Sequence, residues 1–427
     1  MISFGLYLVY LSLSYIRVFD VFLTGLIPYR PMLALGLVAL AAALLRLFTG
    51  HKTALRLDHL ALLLTLLAWV GISVAVTGWF GGALEAMNKV SIPVMMFVLT
   101  TLNVTSERRF RATVATVVVC SILLAVAAIA AYHVGFMDDA LVMRQALDGP
   151  REGEQLLRVR ALGSLNDPND FAQALVIVIP LLATAMQRGA RMRGLIFFTA
   201  LAGMLLYVIY LTHSRGAVLG LLATVAVGAR RTIGNMATGT LLALLVVAAL
   251  ASNVAGGRAY STSDDSAEGR VEAWQDGLSM LKANPLSGIG YGNFAEEQGI
   301  TAHNSFVLCF AELGLIGYFL WLSLIVAIFG GLGVIADSPP DIVSLFGRRW
   351  ATALRASLIG FLTCAWFLSR TYSEILYLLL GLSAALMYFE NHGELPAPKS
   401  WVTRAAVTGL LILIAVYSMV RFKGLSS

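Results

Sequence analysis

Long apolar runs, scarcely broken by charge, decide what this chain can fold into. From Phe306 to Ile328 the only charged residue is Glu312, and from Leu241 to Leu250 every side chain is apolar. A helix crosses the bilayer hydrocarbon with about 20 such residues and satisfies its own backbone hydrogen bonds while doing so. A membrane β-barrel requires alternating polar and apolar residues instead. The run from Leu241 to Leu250 does not alternate, so helices are expected. Of the 427 residues, 59% are hydrophobic and 13% charged, against about 25% charged in a soluble domain. Most of the chain must therefore face lipid or other apolar helices.

The apolar runs read as spans near 3–27, 31–48, 57–78, 83–102, 110–133, 171–187, 194–212, 215–229, 233–252, 304–333, 350–369, 373–389 and 404–420. The fold expected is an all-α polytopic membrane protein of about twelve transmembrane helices, with the 404–420 run leaving twelve or thirteen open. The first span lacks a basic start and a small-residue cleavage pattern, so no cleavable signal peptide is expected. Cys120, Cys309 and Cys364 all lie in apolar spans, where they read as buried small hydrophobes rather than disulfides or metal ligands. No metal site or cofactor is expected. The net charge of +6 follows from topology and does not imply a nucleic-acid partner.

Basic residues mark cytoplasmic loops. They gather at Arg46–Arg56, Arg108–Arg111, Arg188–Arg193, Arg230–Arg231 and Arg348–Arg349. With the N-terminus inside, all of these fall on the cytoplasmic side; Lys399 and Arg404 compete with Arg421 and Lys423 over the side of the C-terminus. The expected organisation is N-terminal transmembrane helices over 1–133, a first periplasmic segment over 134–169, central transmembrane helices over 170–252, a large periplasmic loop over 253–303 and C-terminal transmembrane helices over 304–427. Within the large loop, Ser266 reads as an N-cap and a helix runs to Asn284-Pro285. Val271, Trp274, Leu278 and Leu281 recur at helical spacing and would rest on the membrane surface. Glu85 and Lys89, four apart, read as a neutralised pair.

Polar groups of interest gather on the outer side. Arg158, Arg160, Arg215 and Arg270 stand where the positive-inside rule discourages cations, which implies an anionic partner. Arginine grips phosphate oxygens in two-pronged fashion. Arg215 also opens a helix, whose positive dipole end favours an anion. His213 precedes it by two residues and could act as a base or orient the arginine. His303 lies where the polar loop meets the apolar run from Phe306. The dipole of that helix favours a neutral imidazole, able to accept a hydroxyl proton; a plain cap is the other reading. Gly288, Gly290 and Gly292 read as a tight turn returning the loop to the membrane. A compartment without nucleotide sugars needs a donor that arrives activated. A lipid-linked diphosphate fits, because arginines neutralise its leaving group.

The motifs Arg160–Gly163, Asn166–Phe171, Ser214-Arg215-Gly216, Gly269-Arg270 with Trp274, the Gly288-x-Gly-Tyr-Gly-Asn run, Ala302-His303-Asn304 and Glu312-x-Gly-Leu-Ile-Gly, in that order, resemble the bacterial O-antigen ligase family. That family shares a superfamily with O-antigen polymerases and some protein O-oligosaccharyltransferases. The resemblance implies a GT-C-type glycosyltransferase of the bacterial inner membrane, with its active site facing the periplasm. It would move polysaccharide from undecaprenyl diphosphate to the lipid A-core, by a metal-independent inverting reaction in lipopolysaccharide biosynthesis. By the same resemblance His303 would activate the acceptor hydroxyl, and Arg160 and Arg215 would bind the diphosphate. Arg270 would assist or bind acceptor phosphates, with Arg158, His213, Asn169, Asn304 and Trp274 as further substrate-binding residues. The family more often reads Gly-x-x-Asn-Pro-Asn where this chain has Asn166-Asp167-Pro168-Asn169, leaving that turn to bind sugar or to cap the next helix. An O-antigen polymerase would use the same donor with a second lipid-linked acceptor. A protein oligosaccharyltransferase is expected to be longer. A secondary transporter would place its site at the midplane of repeated halves, and no repeat is evident.

Overall fold

Helices account for nearly every structured residue in the computed structural model, which describes residues 2–17, 19, 30–146, 155–186, 192–251, 265–391 and 400–423. Residues 18 and 20–27 of the first expected span, Arg188 and Arg191, the first part of the expected large loop and Lys399 lie outside those described. Seven helices are long and apolar enough to cross a membrane among the described residues. The stretches Ile2–Ile16, Leu195–Leu211 and Arg215–Gly228 are apolar but shorter. The chain is therefore an all-α, multi-pass membrane protein.

It divides into two compact units. The first comprises Met1–Thr53, Leu102–Arg258 and Ser338–Cys364; the second comprises Ala54–Thr101, Ala259–Asp337 and Ala365–Ser427. In the first unit, α1 (Ile2–Ile16) packs on α2 (Pro31–Phe48) and on the long helix Glu107–Val134. Tyr7, Tyr10 and Leu11 are its fully buried contacts. Two helices intervene in sequence, α3 (Leu57–Val76) and α4 (Phe80–Asn103), which makes Glu107–Val134 α5. Ser106 caps α5 by accepting from Arg109 N. Gly135, at φ 75°, ends it, its N–H returning to Ala131 O. After the short α6 (Asp138–Leu141) comes a two-stranded antiparallel ribbon, β1 (Val142–Ala146) and β2 (Gln155–Val159), with Val142 opposite Val159. Leu157 packs with Leu141, Val142 and Ala131 beneath it.

The next helices of the first unit are α7 (Pro168–Met186), α8 (Met192–Leu211) and α9 (Arg215–Ala251). Helix α9 breaks at Gly234, at φ 80° and ψ 171°, just inside the expected span 233–252. Gly220 of α9 lets the helix pass close to α13 (Leu345–Ala365): an added Cβ would stand 3.1 Å from Gly360 O. Between them in sequence lie α10 (Asp265–Ala283), α11 (Asn293–Gln298) and α12 (Ser305–Asp337), all of the second unit.

Helix α12 is the axis of the second unit, packed against α3, α10, α14 (Glu374–Asn391) and α15 (Trp401–Lys423). Trp321, Phe310 and Leu313 are buried along it. The helix expected in the large loop is α10, within a residue or two of its expected ends. Its apolar side is not left to a membrane surface. Trp274 and Ala273 are buried against protein, and a Cβ on Gly277 would collide with Val307 of α12. Protein packing on α12 takes up the surface that the sequence pattern offered to lipid. Lys89 pairs with Glu85 at 2.9 Å as expected, though both remain more than half exposed.

Candidate active site

In the first unit the polar residues are organised by the ribbon. Arg158 is buried, 6% exposed, at the end of β2. Its Nε donates to Thr212 O at 2.9 Å, Nη2 to Asn169 Oδ1 at 3.0 Å and Nη1 to Gln145 Oε1 at 3.3 Å. Arg158 and Asn169 are thus brought together, and the guanidinium ties the ribbon to the starts of α7 and α9. Its nitrogens are engaged by protein, so its geometry is that of a brace. Arg160 follows on the next turn. Its Nε donates to Ala140 O and its Nη2 to Asp139 O, both at 3.0 Å. No bond from Nη1 to a described residue accompanies them. The half-buried Arg160 is therefore held rigidly by one edge.

The Asn166–Asn169 turn makes the helix cap that was one of its two expected roles. Asp167 Oδ1 accepts from Asn169 N at 2.7 Å, and Asp167 O accepts from Phe171 N. The extra acid caps α7, where a carboxylate also meets the positive dipole end.

His213 has a left-handed backbone, at φ 50°, and its ring lies 5.7 Å from that of Tyr210. Ser214 caps α9 by accepting from Ala217 N. Arg215 is then the first residue of α9, half-buried at its N-terminus.

The second unit repeats this local pattern. His303, at φ 47°, is again a histidine in the left-handed region just before a capping residue. Such a conformation costs a non-glycine residue about 1–2 kcal/mol, and strain of this kind gathers at functional positions. The cap of α12 is Asn304, whose Oδ1 accepts from Phe306 N at 2.9 Å and Val307 N at 3.1 Å. Capping thus falls to the neighbour and not to the His303 ring, which is half-buried. Asn304 itself is 0% exposed. Trp274 donates its indole N–H to Ala302 O at 3.1 Å, so it fixes the backbone one residue before His303. Arg270, half-buried, lies one turn before Trp274 on α10.

The glycine run and Glu312 form one device. Helix α12 is broken at Gly314, at φ 63° and ψ −170°. Gly288, Gly290 and Gly292 all have positive φ and carry the incoming loop flush against that break. Ile289 N donates to Ala311 O, Gly290 N to Glu312 O, and Leu315 N to Pro285 O, at 2.8–3.0 Å. Trp69 of α3 donates to Leu313 O at 2.9 Å. The carbonyls released by the break are therefore satisfied. The Glu312 carboxylate, 3% exposed, accepts from the backbone N–H groups of Gly292 and Phe294. Above it, Tyr291 and Tyr372 stack edge to face at 5.0 Å. Burial, with the Glu312 charge added, pushes the Tyr291 hydroxyl up to about 12. The tight turn expected of these glycines is present, and its docking partner is the helix break.

The sequence reading passed over the segment between α13 and α14. Its residues Trp366–Ser373 border the His303 loop: the rings of Trp366 and Trp274 are 6.1 Å apart. The polar stretch Ser369-Arg370-Thr371 between two apolar runs was the available signal.

These features define a multi-pass helical membrane protein with two strained histidines at helix starts, one beside Arg215 and one above a glycine-docked helix break. Residues 199–322 match the family described as O-antigen ligase. The match takes in Arg215, Arg270, Trp274, the glycine run, His303, Asn304 and Glu312; Arg158, Arg160 and Asn169 precede it. The chain is also 33% identical over 104 residues to the exopolysaccharide production protein ExoQ of Rhizobium meliloti. That similarity covers 20% of this chain and 24% of the relative, so it spans about a quarter of the relative's length.

Proposed function

We propose that this protein is an O-antigen ligase of the bacterial inner membrane, a GT-C-type transferase of about twelve spans whose chemistry faces the periplasm. The donor is a polysaccharide on undecaprenyl diphosphate and the acceptor a hydroxyl of the lipid A-core. His303 takes the proton of that hydroxyl as its oxygen attacks the anomeric carbon. The bond from that carbon to the diphosphate oxygen breaks with inversion, and the electron pair leaves on the undecaprenyl diphosphate. Arg160 and Arg215 stabilise the charge on the leaving diphosphate, as preorganised cations do where charge develops. Arg270 assists, Arg158 braces Asn169 and the turn, and Asn304 and Trp274 fix the backbone that carries His303. With arginines meeting the diphosphate charge, the reaction needs no metal ion.

The observation that carries this reading is the division of labour at the start of α12. Asn304 makes the cap bonds and Trp274 pins Ala302, while His303 is held in a strained backbone between them. The family match over the same stretch supports it. The test is His303→Ala in cells whose lipopolysaccharide is resolved on a gel. Long-chain lipopolysaccharide is expected to vanish while the protein still accumulates in the membrane; its persistence would contradict the assignment.

A second reading is favoured by the similarity to an exopolysaccharide production protein. In it the acceptor is a second lipid-linked chain, and the protein is a polymerase with the same donor chemistry.

A further inference from the structure

Two arginines outside the residues assigned to transfer converge on one short loop of the first unit. Arg46, in the last turn of α2, donates from Nη2 to Thr105 Oγ1 at 3.4 Å. Arg109, in the first turn of α5, donates from Nη1 to Asn103 O at 3.0 Å. The face of Phe4 holds the Arg109 guanidinium, whose Cζ lies 5.2 Å from the ring centre. Ser3 ties the same corner, donating to Asn103 Oδ1 at 2.6 Å. Both guanidiniums are thus anchored on the Asn103–Thr105 loop, and the charge of Arg46 is felt at Arg109. Both side chains remain half-buried, so a ligand can reach them from outside.

Among the described residues neither arginine has an acidic partner. Glu107, two residues before Arg109, pairs with Arg111, and Asp58, Glu85 and Asp138 pair with other cations. Arg46 Nη1 is shut off from water without a hydrogen-bond partner, and a buried donor of this kind calls for an acceptor. Like charges held near each other disfavour the charged state of both, and an anion between them reverses that. Planar guanidinium forks suit the oxygens of a phosphate group. The surroundings suit a lipid. Helix α2 buries only 17% of its residues, and Leu44, Leu45, Leu47 and Phe48 beside Arg46 are exposed, an apolar surface for acyl chains. The positive-inside rule assigns this end to the cytoplasm, where basic pockets between transmembrane helices take anionic headgroups. We infer that Arg46 and Arg109 together bind one phosphate group at the membrane boundary, independently of the transferase reading. Two sources offer that chemistry: the headgroup of an anionic phospholipid, with its acyl chains along α2, or soluble phosphate.

The experiment titrates the full chain, purified in detergent, with phosphatidylglycerol, with zwitterionic phosphatidylcholine of the same acyl chains and with inorganic phosphate. Bound ligand is counted by native mass spectrometry. Wild type is expected to bind phosphatidylglycerol or inorganic phosphate at least tenfold more tightly than phosphatidylcholine, and R46Q/R109Q to lose that preference. Phosphatidylglycerol bound at least tenfold more tightly than inorganic phosphate names the lipid headgroup; inorganic phosphate bound as tightly as the lipid names the soluble ion. No preference in wild type, or an undiminished preference in the double variant, overturns the inference. Arg108→Gln is the control for net charge, since it removes one cation from the same turn at an exposed position. R109Q should weaken phosphatidylglycerol binding at least tenfold and R108Q should leave it at the wild-type level; an equal loss in both shows that net charge does the binding and overturns the inference. If the double variant fails to fold, R46Q takes its place, because it removes only the 3.4 Å bond to Thr105, and a wild-type preference in R46Q is then the overturning result.

Discussion

Gly314→Ala probes the docking of the glycine loop on the break in α12. Gly314 has φ 63° and ψ −170°, a region that costs a residue with a Cβ about 1–3 kcal/mol. The new Cβ would also collide with the Leu286 carbonyl and lie 2.7 Å from Gly288 N. Both obstacles are backbone, so the loop has to lift. Lifting threatens the bonds Ile289 N to Ala311 O, Gly290 N to Glu312 O and Leu315 N to Pro285 O, at about 1 kcal/mol each. The sum is about 4–6 kcal/mol, a large share of the 5–15 kcal/mol that holds a typical protein folded. Thermal unfolding of the detergent-purified protein, followed by tryptophan fluorescence, should show a markedly lowered midpoint together with lost transfer. Gly203→Ala is the control: Gly203 lies in α8 with nothing within 4 Å of an added Cβ, so its midpoint should hold or rise slightly. A Gly314→Ala protein that melts and works like wild type would refute the docking.

Ser305→Ala leaves Leu368 O and Arg370 N without their shared hydroxyl; at about 1–3 kcal/mol per orphaned group the midpoint should fall by several degrees, and an unchanged midpoint would show that the segment is held elsewhere. Arg215→Lys keeps the charge at the start of α9 but loses the fork; transfer is expected to drop at least tenfold with the melting midpoint unchanged, and full turnover would make Arg215 structural. Tyr291 gives a pH signature. Its folded value of about 12 stands above the usual 10, so below pH 10 both folded and unfolded states keep the proton and stability is full. As pH climbs from 10 through 12 the unfolded state loses its proton first, and stability falls by up to about 2.7 kcal/mol. Tyr291→Phe should make alkaline melting curves less steep in pH, and an identical slope would contradict the burial of this hydroxyl.

Periodicity sufficed for the helices because lipid enforces it: an apolar run of span length has few other solutions. The glycine breaks were not legible: the spans 215–229 and 233–252 were parted by Arg230-Arg231, beside the break at Gly234, and the break at Gly314 falls inside the single run read over 304–333. The β1–β2 ribbon was not legible, since Val142–Ala146 and Gln155–Val159 are five residues each, too short for a period to stand out. The apolar stripe of α10 was legible as a stripe, but a stripe does not say whether lipid or a helix covers it; Gly277, the point of closest approach to α12, carried that information. At the candidate site, residue types marked Arg158 and Asn304 as polar groups of interest, while their engagement by Thr212 O and by the α12 N–H groups depends on backbone atoms that sequence does not display. The Ser369–Thr371 stretch was missed because its neighbours in space, Thr301 and Ser305, are more than sixty residues away in sequence.

Reconstitution tests the central claim most directly. Purified protein is mixed with undecaprenyl-diphosphate glycan and lipid A-core acceptor, with and without a chelator, alongside His303→Ala. The account predicts glycan on the core with inverted anomeric configuration, undiminished by the chelator and absent with the variant. Transfer by His303→Ala at the wild-type rate, or joining of two lipid-linked chains in place of core capping, would contradict it.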